Sequence, residues 1–200
     1  MSEREHDSEH EHPAGEVLER DEEAPERDPE REARKIVALS QIRKYGDPVL
    51  RMRANDVLAF DEELERLAER MTVVMHDADG IGLAATQIGI LRRLFVFSHE
   101  GEDHALVNPE LTGRNGTTEI DDEGCLSLGP VRVPVERATV VTIEGKDVRG
   151  RDARFELEGF GARVVQHELD HLDGTLMIDR TDPESRREAL RLLRPRLVLS

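Results

Sequence analysis

Two histidines and a glutamate in the segment Gln166-His-Glu-Leu-Asp-His171 have the spacing of a metal site. His167 and His171 are four residues apart, and on a helix such residues share a face, so both imidazoles can reach one ion. Glu168 lies about 100° around the axis from His167, where its carboxylate can reach water beside that ion without binding it. Catalytic sites of this kind use three protein ligands and leave a position for water or substrate, so a third ligand is required. In metalloproteases with a longer form of the motif a histidine stands six residues after the second, but here that position is Met177. Glu184 and Glu188 are possible suppliers. The better candidate is Cys125, the only cysteine, placed in Glu123-Gly-Cys-Leu-Ser127 where an acidic stretch gives way to an apolar one. Its thiolate brings the negative charge that two neutral imidazoles lack. Against this stands a blander alternative, a helix with two surface histidines solvated among acids such as Asp170 and Asp173.

The histidines need a helix to carry them. Val164, Val165, Leu169 and Leu172 recur at helical spacing and Gly174 supplies a stop, which predicts a helix over residues 160–172. Another is expected over residues 61–78, where Leu64, Leu67, Ala68, Met71, Val74, Met75 and Ala78 form one apolar face. Asp61 is its candidate N-cap and Gly80 its stop; the methionines are read as core packing. A third helix is expected over residues 183–193, with Thr181 as cap, Glu184 at the return position and Pro183 in the first turn. Residues 94–98, 105–107, 131–135, 139–143 and 154–157 are short, β-branched or alternating, and bounded by Gly, Asp, Asn or Pro, which predicts strands. The fold class that follows is α+β, with mainly antiparallel strands around a central metal-binding helix.

Composition bounds the function. Residues 1–34 hold 14 Asp+Glu against 5 Lys+Arg and almost no apolar side chain, so they are expected to form a disordered acidic tail ahead of one domain over residues 35–200. His6, His10 and His12 in that tail are read as solvated spacing. The formal net charge of −16 argues against direct nucleic-acid readout. One cysteine excludes an intramolecular disulfide, no apolar run approaches the length of a membrane helix, and the acidic N-terminus disfavours organellar import. A bacterial-type cytoplasmic protein is expected.

Three motifs in order, Gly80-Ile-Gly-Leu-Ala-Ala-Thr-Gln87, Glu123-Gly-Cys-Leu-Ser127 and Gln166-His-Glu-Leu-Asp-His171, make the chain resemble the peptide deformylases over roughly residues 40–180, with Gly46-Asp-Pro-Val-Leu-Arg51 extending the likeness. The resemblance implies a hydrolase that uses metal-activated water to remove the N-formyl group from the N-terminal formyl-methionine of newly synthesised proteins, releasing formate. It implies Cys125, His167 and His171 as metal ligands, Glu168 as general acid/base, and Gln87 with the backbone N–H of Leu126 as donors to the formyl oxygen. The divalent ion it implies is Fe²⁺, with Zn²⁺ or Ni²⁺ able to substitute; ligand type alone favours zinc. Formylmethionyl nascent peptides are the expected partners, met at the ribosome near its exit tunnel.

Around that centre, Ile81, Gly82 and Gly124 are expected to border the substrate, the glycines because backbone can approach closely there. Gly80-x-Gly82 is not a phosphate loop, since no Lys-Ser or Lys-Thr follows. Val164 and Arg163 precede His167 by three and four residues and so share its face as a pocket wall, Arg163 through its stem while a carboxylate holds its head. Glu123 is expected in an ion pair with Arg137 or Arg132 rather than on the metal. Two rivals remain: an internal peptidase with Glu184 or Glu188 as third ligand, and a non-catalytic protein that kept the fold.

Overall fold

The computed structural model describes residues 28–194; most of the expected tail, residues 1–27, lies outside them with the chain's last six residues. Helix α1 spans Pro29–Gln41, so ordered structure begins before the expected domain start at residue 35. The cause is local. Asp28 caps the helix by accepting from the N–H of Glu30 at 2.9 Å, and Pro29 sits in the first turn. The early turns stay in solvent, which is why they look tail-like, while Ala38 packs into the core beside Ile42, the residue that follows the helix. Arg31 and Lys35 both reach Asp79, at 2.7 and 2.8 Å, and pin α1 to the loop after α2.

Helix α2, Glu62–Asp77, is capped by Asp61 as expected, and its apolar stripe, including Met71 and Met75, is buried. It ends differently. Asp79 takes the left-handed conformation (φ 57°), and Gly80 is needed for space, since a Cβ there would lie 2.9 Å from Leu126 Cδ1 and 3.2 Å from the carbonyl of Met75.

Five strands follow: β1 Gly82–Ala84, β2 Leu94–His99, β3 Glu102–Cys125, β4 Gly129–Lys146 and β5 Asp152–Glu158. They form one sheet in spatial order β1-β2-β3-β4-β5, with every neighbour antiparallel. The expected strand at 105–107 is part of β3, and those at 131–135 and 139–143 are one strand, β4. Residues 114–122 of β3 are exposed along their whole length, so no hydrophobic alternation marks them. Four register shifts break the β3–β4 ladder, the last between Gly124 and Cys125. Such irregularities bend a long hairpin.

Helix α3, Gly159–Leu172, packs against β1, β2, β4 and β5. Phe95, Phe97, Ile143, Leu157 and Val165 form the apolar layer between it and the sheet. Its polar residues are buried too, so it is central rather than a surface helix with one apolar stripe. Helix α4, Pro183–Leu193, is capped by Asp182 and not by Thr181: Asp182 Oδ1 accepts from the N–H groups of Glu184 and Ser185 at 2.8 and 3.0 Å. Pro183 at the first helical position leaves the residue just before it as the cap. Among the described residues no helix is long and apolar enough to cross a membrane.

Gly174, which stops α3, has φ 72°, and a Cβ on it would lie 2.7 Å from the carbonyl oxygen of Arg51. Gly174→Ala therefore combines left-handed strain with a backbone overlap and is expected to lower stability by more than about 1 kcal/mol, read from the midpoint of urea unfolding. An unchanged midpoint would show that the end of α3 is not held by this close approach.

Candidate metal centre

The side chains of Cys125, His167 and His171 present donor atoms that all lie within 4.8 Å of one another. They arrive from two constraints, one in a strand and one in a helix. Cys125 ends β3, where Glu123 and Cys125 point inward and Gly124 outward by strand alternation. His167 and His171 are successive turns of one face of α3, with ring centroids 4.9 Å apart. Cys125 Sγ and His171 Nε2 are 3.2 Å apart. Glu184 and Glu188, the alternative third ligands, are exposed on α4, and Glu188 pairs with Arg191 at 2.6 Å.

The donor set fits a divalent ion. Burial opposes ionisation of Cys125, but the charge of His171 and the bonds from His167 and His171 outweigh it and hold the thiol well below its ordinary range. Burial likewise works against a charged His167, yet its bonds to Cys125 and Glu123 push it well above the usual histidine value. An ion binding here therefore displaces protons. The Nδ1 of His167 lies 2.9 Å from Glu123 Oε2, which fixes the ring and leaves Nε2 for the centre. His171 Nδ1 is buried without a partner, and Thr86 Oγ1 donates to the carbonyl of His171 at 3.2 Å.

A cleft of about 670 Å³ opens over this group. Ile81, Gly82, Gln87, Gly124, Cys125, Leu126, Arg163, Val164, His167 and Glu168 all line it, and His171 lies buried beneath. Glu168 is buried, with Oε2 unpartnered, and its burial, partly offset by His167 and His171, pushes its carboxyl up to about 7. Gly82 makes room for it: a Cβ at Gly82 would fall 2.5 Å from Glu168 Oε1. Gln87, in the single turn Ala85–Ile88, accepts from the N–H of Ala84 at 2.8 Å, and its amide NH₂ faces Ser127 Oγ at 3.3 Å and Cys125 Sγ at 3.7 Å.

Arg163 lines the cleft, and its guanidinium donates to Glu123 Oε1 at 3.0 Å and to the carbonyls of Val135 and Glu119 at 2.8 and 2.9 Å. Glu123 pairs with Arg137 through two bonds of 2.8 and 3.0 Å; Arg132 instead donates to the carbonyl of Asp122. Asp170, a solvating acid in the bland reading, is buried between Arg137 and Arg180 at 2.6 and 2.7 Å. Lys35, Leu39, Lys44 and Phe160 also line the cleft and were not expected. All but Phe160 come from far away in sequence, and nothing local marks them.

Comparison with known proteins gives a consistent relationship. A profile described as polypeptide deformylase matches residues 39–187. A peptide deformylase of Thermotoga neapolitana is 48% identical over 160 residues, covering 80% of this chain and 95% of that protein. The structure of a peptide deformylase from Thermus thermophilus superposes with a TM-score of 0.72 at 44% identity, covering 76% of this chain and 91% of the other. One from Synechococcus elongatus, in complex with actinonin, gives 0.72 at 41% identity, covering 76% and 84%.

The Glu123 cluster sets an acid limit on stability. Burial alone would raise this carboxyl, but Arg137 and His167 bring it from 4.5 to about 2. A carboxylate depressed on folding stabilises above its unfolded value, and that contribution is lost as pH falls from 4.5 through about 2. The shift corresponds to about 3 kcal/mol. Glu123→Gln is expected to be less stable by about 3–5 kcal/mol at neutral pH, because, among the described residues, Arg163 loses its only counter-charge and Arg137 one of its two. Its urea midpoint should fall less steeply than the parent's between pH 4.5 and 2. Parallel pH profiles for the two proteins would contradict the assignment.

Proposed function

The chain belongs to the polypeptide deformylase family, and we propose that it performs the family's reaction with Cys125, His167 and His171 holding the metal and Glu168 carrying the proton. That reaction removes the N-formyl group from nascent peptides: a metal-dependent hydrolase cleaves a formamide C–N bond and releases formate. The observation that carries the residue assignment is the convergence of one thiol, two imidazoles and an unpartnered buried carboxylate at the floor of one cleft.

A divalent ion on these three ligands supplies a Lewis acid for the formyl oxygen and for water. The protein does the rest. Gln87 is fixed by its bond from Ala84, so its NH₂ is aimed across the cleft; with the N–H of Leu126 it receives the formyl oxygen as negative charge develops there. Glu168, pushed up to about 7, takes a proton from the attacking water and delivers it to the departing amine nitrogen. The C–O bond forms first and moves the carbonyl electron pair onto the oxygen held by these donors; its return breaks the C–N bond as Glu168 protonates the nitrogen, and the second water proton passes to the same nitrogen, so that formate and a protonated amino terminus leave. Gly82, Ile81 and Gly124 border the peptide backbone, while Val164 and the stem of Arg163 wall the pocket.

Fe²⁺ is the proposed physiological ion, with Zn²⁺ or Ni²⁺ as substitutes. The proposed setting is the bacterial-type cytoplasm beside the ribosomal exit, where formylated chains emerge. Residues 1–27 are proposed to take no part in catalysis, since their sequence is dominated by acids.

Release of formate from formyl-Met-Ala-Ser by iron-loaded protein is the primary test. Glu168→Gln should retain about one metal ion per chain while turnover falls roughly 10²- to 10⁴-fold, whereas His167→Ala should lose the ion. Loss of metal from both variants would make Glu168 a ligand. Deletion of residues 1–27 should leave kcat and KM nearly unchanged. Deletion of residues 1–34 also removes the Asp28 cap and Arg31, and should lower the thermal midpoint. A large fall in turnover on the shorter deletion would give the acidic segment a role at the site.

A further inference from the structure

The segment Arg43-Lys44-Tyr45 follows α1 and touches both sides of the cleft floor. The N–H of Arg43 donates to the carbonyl of Gln87 at 2.7 Å. The Nζ of Lys44 donates to the carbonyl of Leu126 at 3.0 Å, and the N–H of Tyr45 donates to the carbonyl of Ser127 at 2.9 Å. Gln87 and Leu126 come from parts of the chain about forty residues apart, and no element of regular structure contains both. The segment is anchored on each flank: Ile42 is buried in the cluster around α2, and Tyr45 packs on the cluster that includes Cys125 and Leu128.

Leu126 opens the turn between β3 and β4. On its N-terminal side the peptide plane is held by Cys125, whose carbonyl accepts from the N–H of Leu128 at 3.0 Å. On its C-terminal side the plane is held by Lys44. The Leu126 N–H lies in the first plane, and holding the second limits the rotation about Leu126 φ and ψ by which the first could turn. Lys44 forms no ion pair among the described residues, so its ammonium is not committed to a carboxylate elsewhere.

We propose that residues 43–45 act as a brace that sets the spacing and aim of the two oxyanion donors, with Lys44 as a positioning residue for the N–H of Leu126. This rests on the reading of Gln87 and Leu126 as those donors. Donors aimed at where charge develops lose much of their effect when displaced by a fraction of an ångström to an ångström. Lys44 is exposed, so replacing it does not disturb the core.

The test compares Lys44→Met and Lys44→Arg with the parent in the metal-loaded enzyme, using formyl-Met-Ala-Ser and measuring kcat, KM, metal content and thermal midpoint. Lys44→Met is expected to lower kcat about 10-fold with KM within about twofold, and with metal content and midpoint unchanged. Lys44→Arg, which keeps a cationic donor, should recover most of kcat. Unchanged kcat in Lys44→Met overturns the brace. So does a raised KM at constant kcat, which would place Lys44 on the substrate. Gln87→Leu in the same assay tests the oxyanion reading separately: a fall in kcat there with none in Lys44→Met defeats the brace alone, and no fall there defeats both.

Discussion

Glu123 joins three elements by one carboxylate. It sits on β3, accepts from Arg137 on β4 and Arg163 on α3, and orients His167 on α3. Arg137 continues to Asp170, also on α3, which Arg180 closes from the following loop. Buried charges of this kind are costly unless every one is matched, and a partly made cluster is worse than an apolar one. The hairpin and helix therefore have few acceptable relative placements. Because strand alternation puts Glu123 and Cys125 on the same face, docking Glu123 against α3 delivers the thiol to the imidazoles. The helix repeat does the complementary task, since Arg163, His167 and His171 are spaced at one turn each. A period of two meets a period of 3.6, and the carboxylate fixes the phase between them.

Space near this cluster is as constrained as charge. Gly82 gives its missing side chain to the Glu168 carboxylate and Gly80 to the side chain of Leu126. The β1 edge thus packs directly on the helix that carries the acid, and Glu168 lines the cleft. That burial is what keeps its proton affinity near neutrality.

The parts legible in the sequence were those governed by short-range rules. Helix α2 had a continuous apolar stripe and a cap in Asp61, and α3 carried the H-E-x-x-H face with a glycine stop. The long stem and charged head of Arg163, one turn before His167, implied a carboxylate partner, and Glu123 is that partner. Other features escaped for identifiable reasons. The opening of α1 faces solvent, so only Asp28-Pro29 marked it. Residues 114–122 of β3 are exposed on both faces and lack alternation. Thr181 and Asp182 are both able caps, and the choice belongs to the proline after Asp182. Lys35, Leu39 and Lys44 reach the cleft through tertiary packing, which no local pattern encodes.

The lone sulfur of Cys125 has a consequence for redox chemistry. The neighbouring imidazoles hold it well below the usual thiol range, and it is the chain's only thiol. A thiolate that is oxidised to a sulfenic acid is ordinarily rescued when a neighbouring cysteine condenses with it to form a disulfide. Here the chain has no resolving cysteine. Any further oxidant carries the sulfur to the sulfinic and sulfonic levels, which no disulfide exchange reverses. The residue that gives the centre its negative charge is thus also one whose oxidation no second cysteine of this chain can reverse.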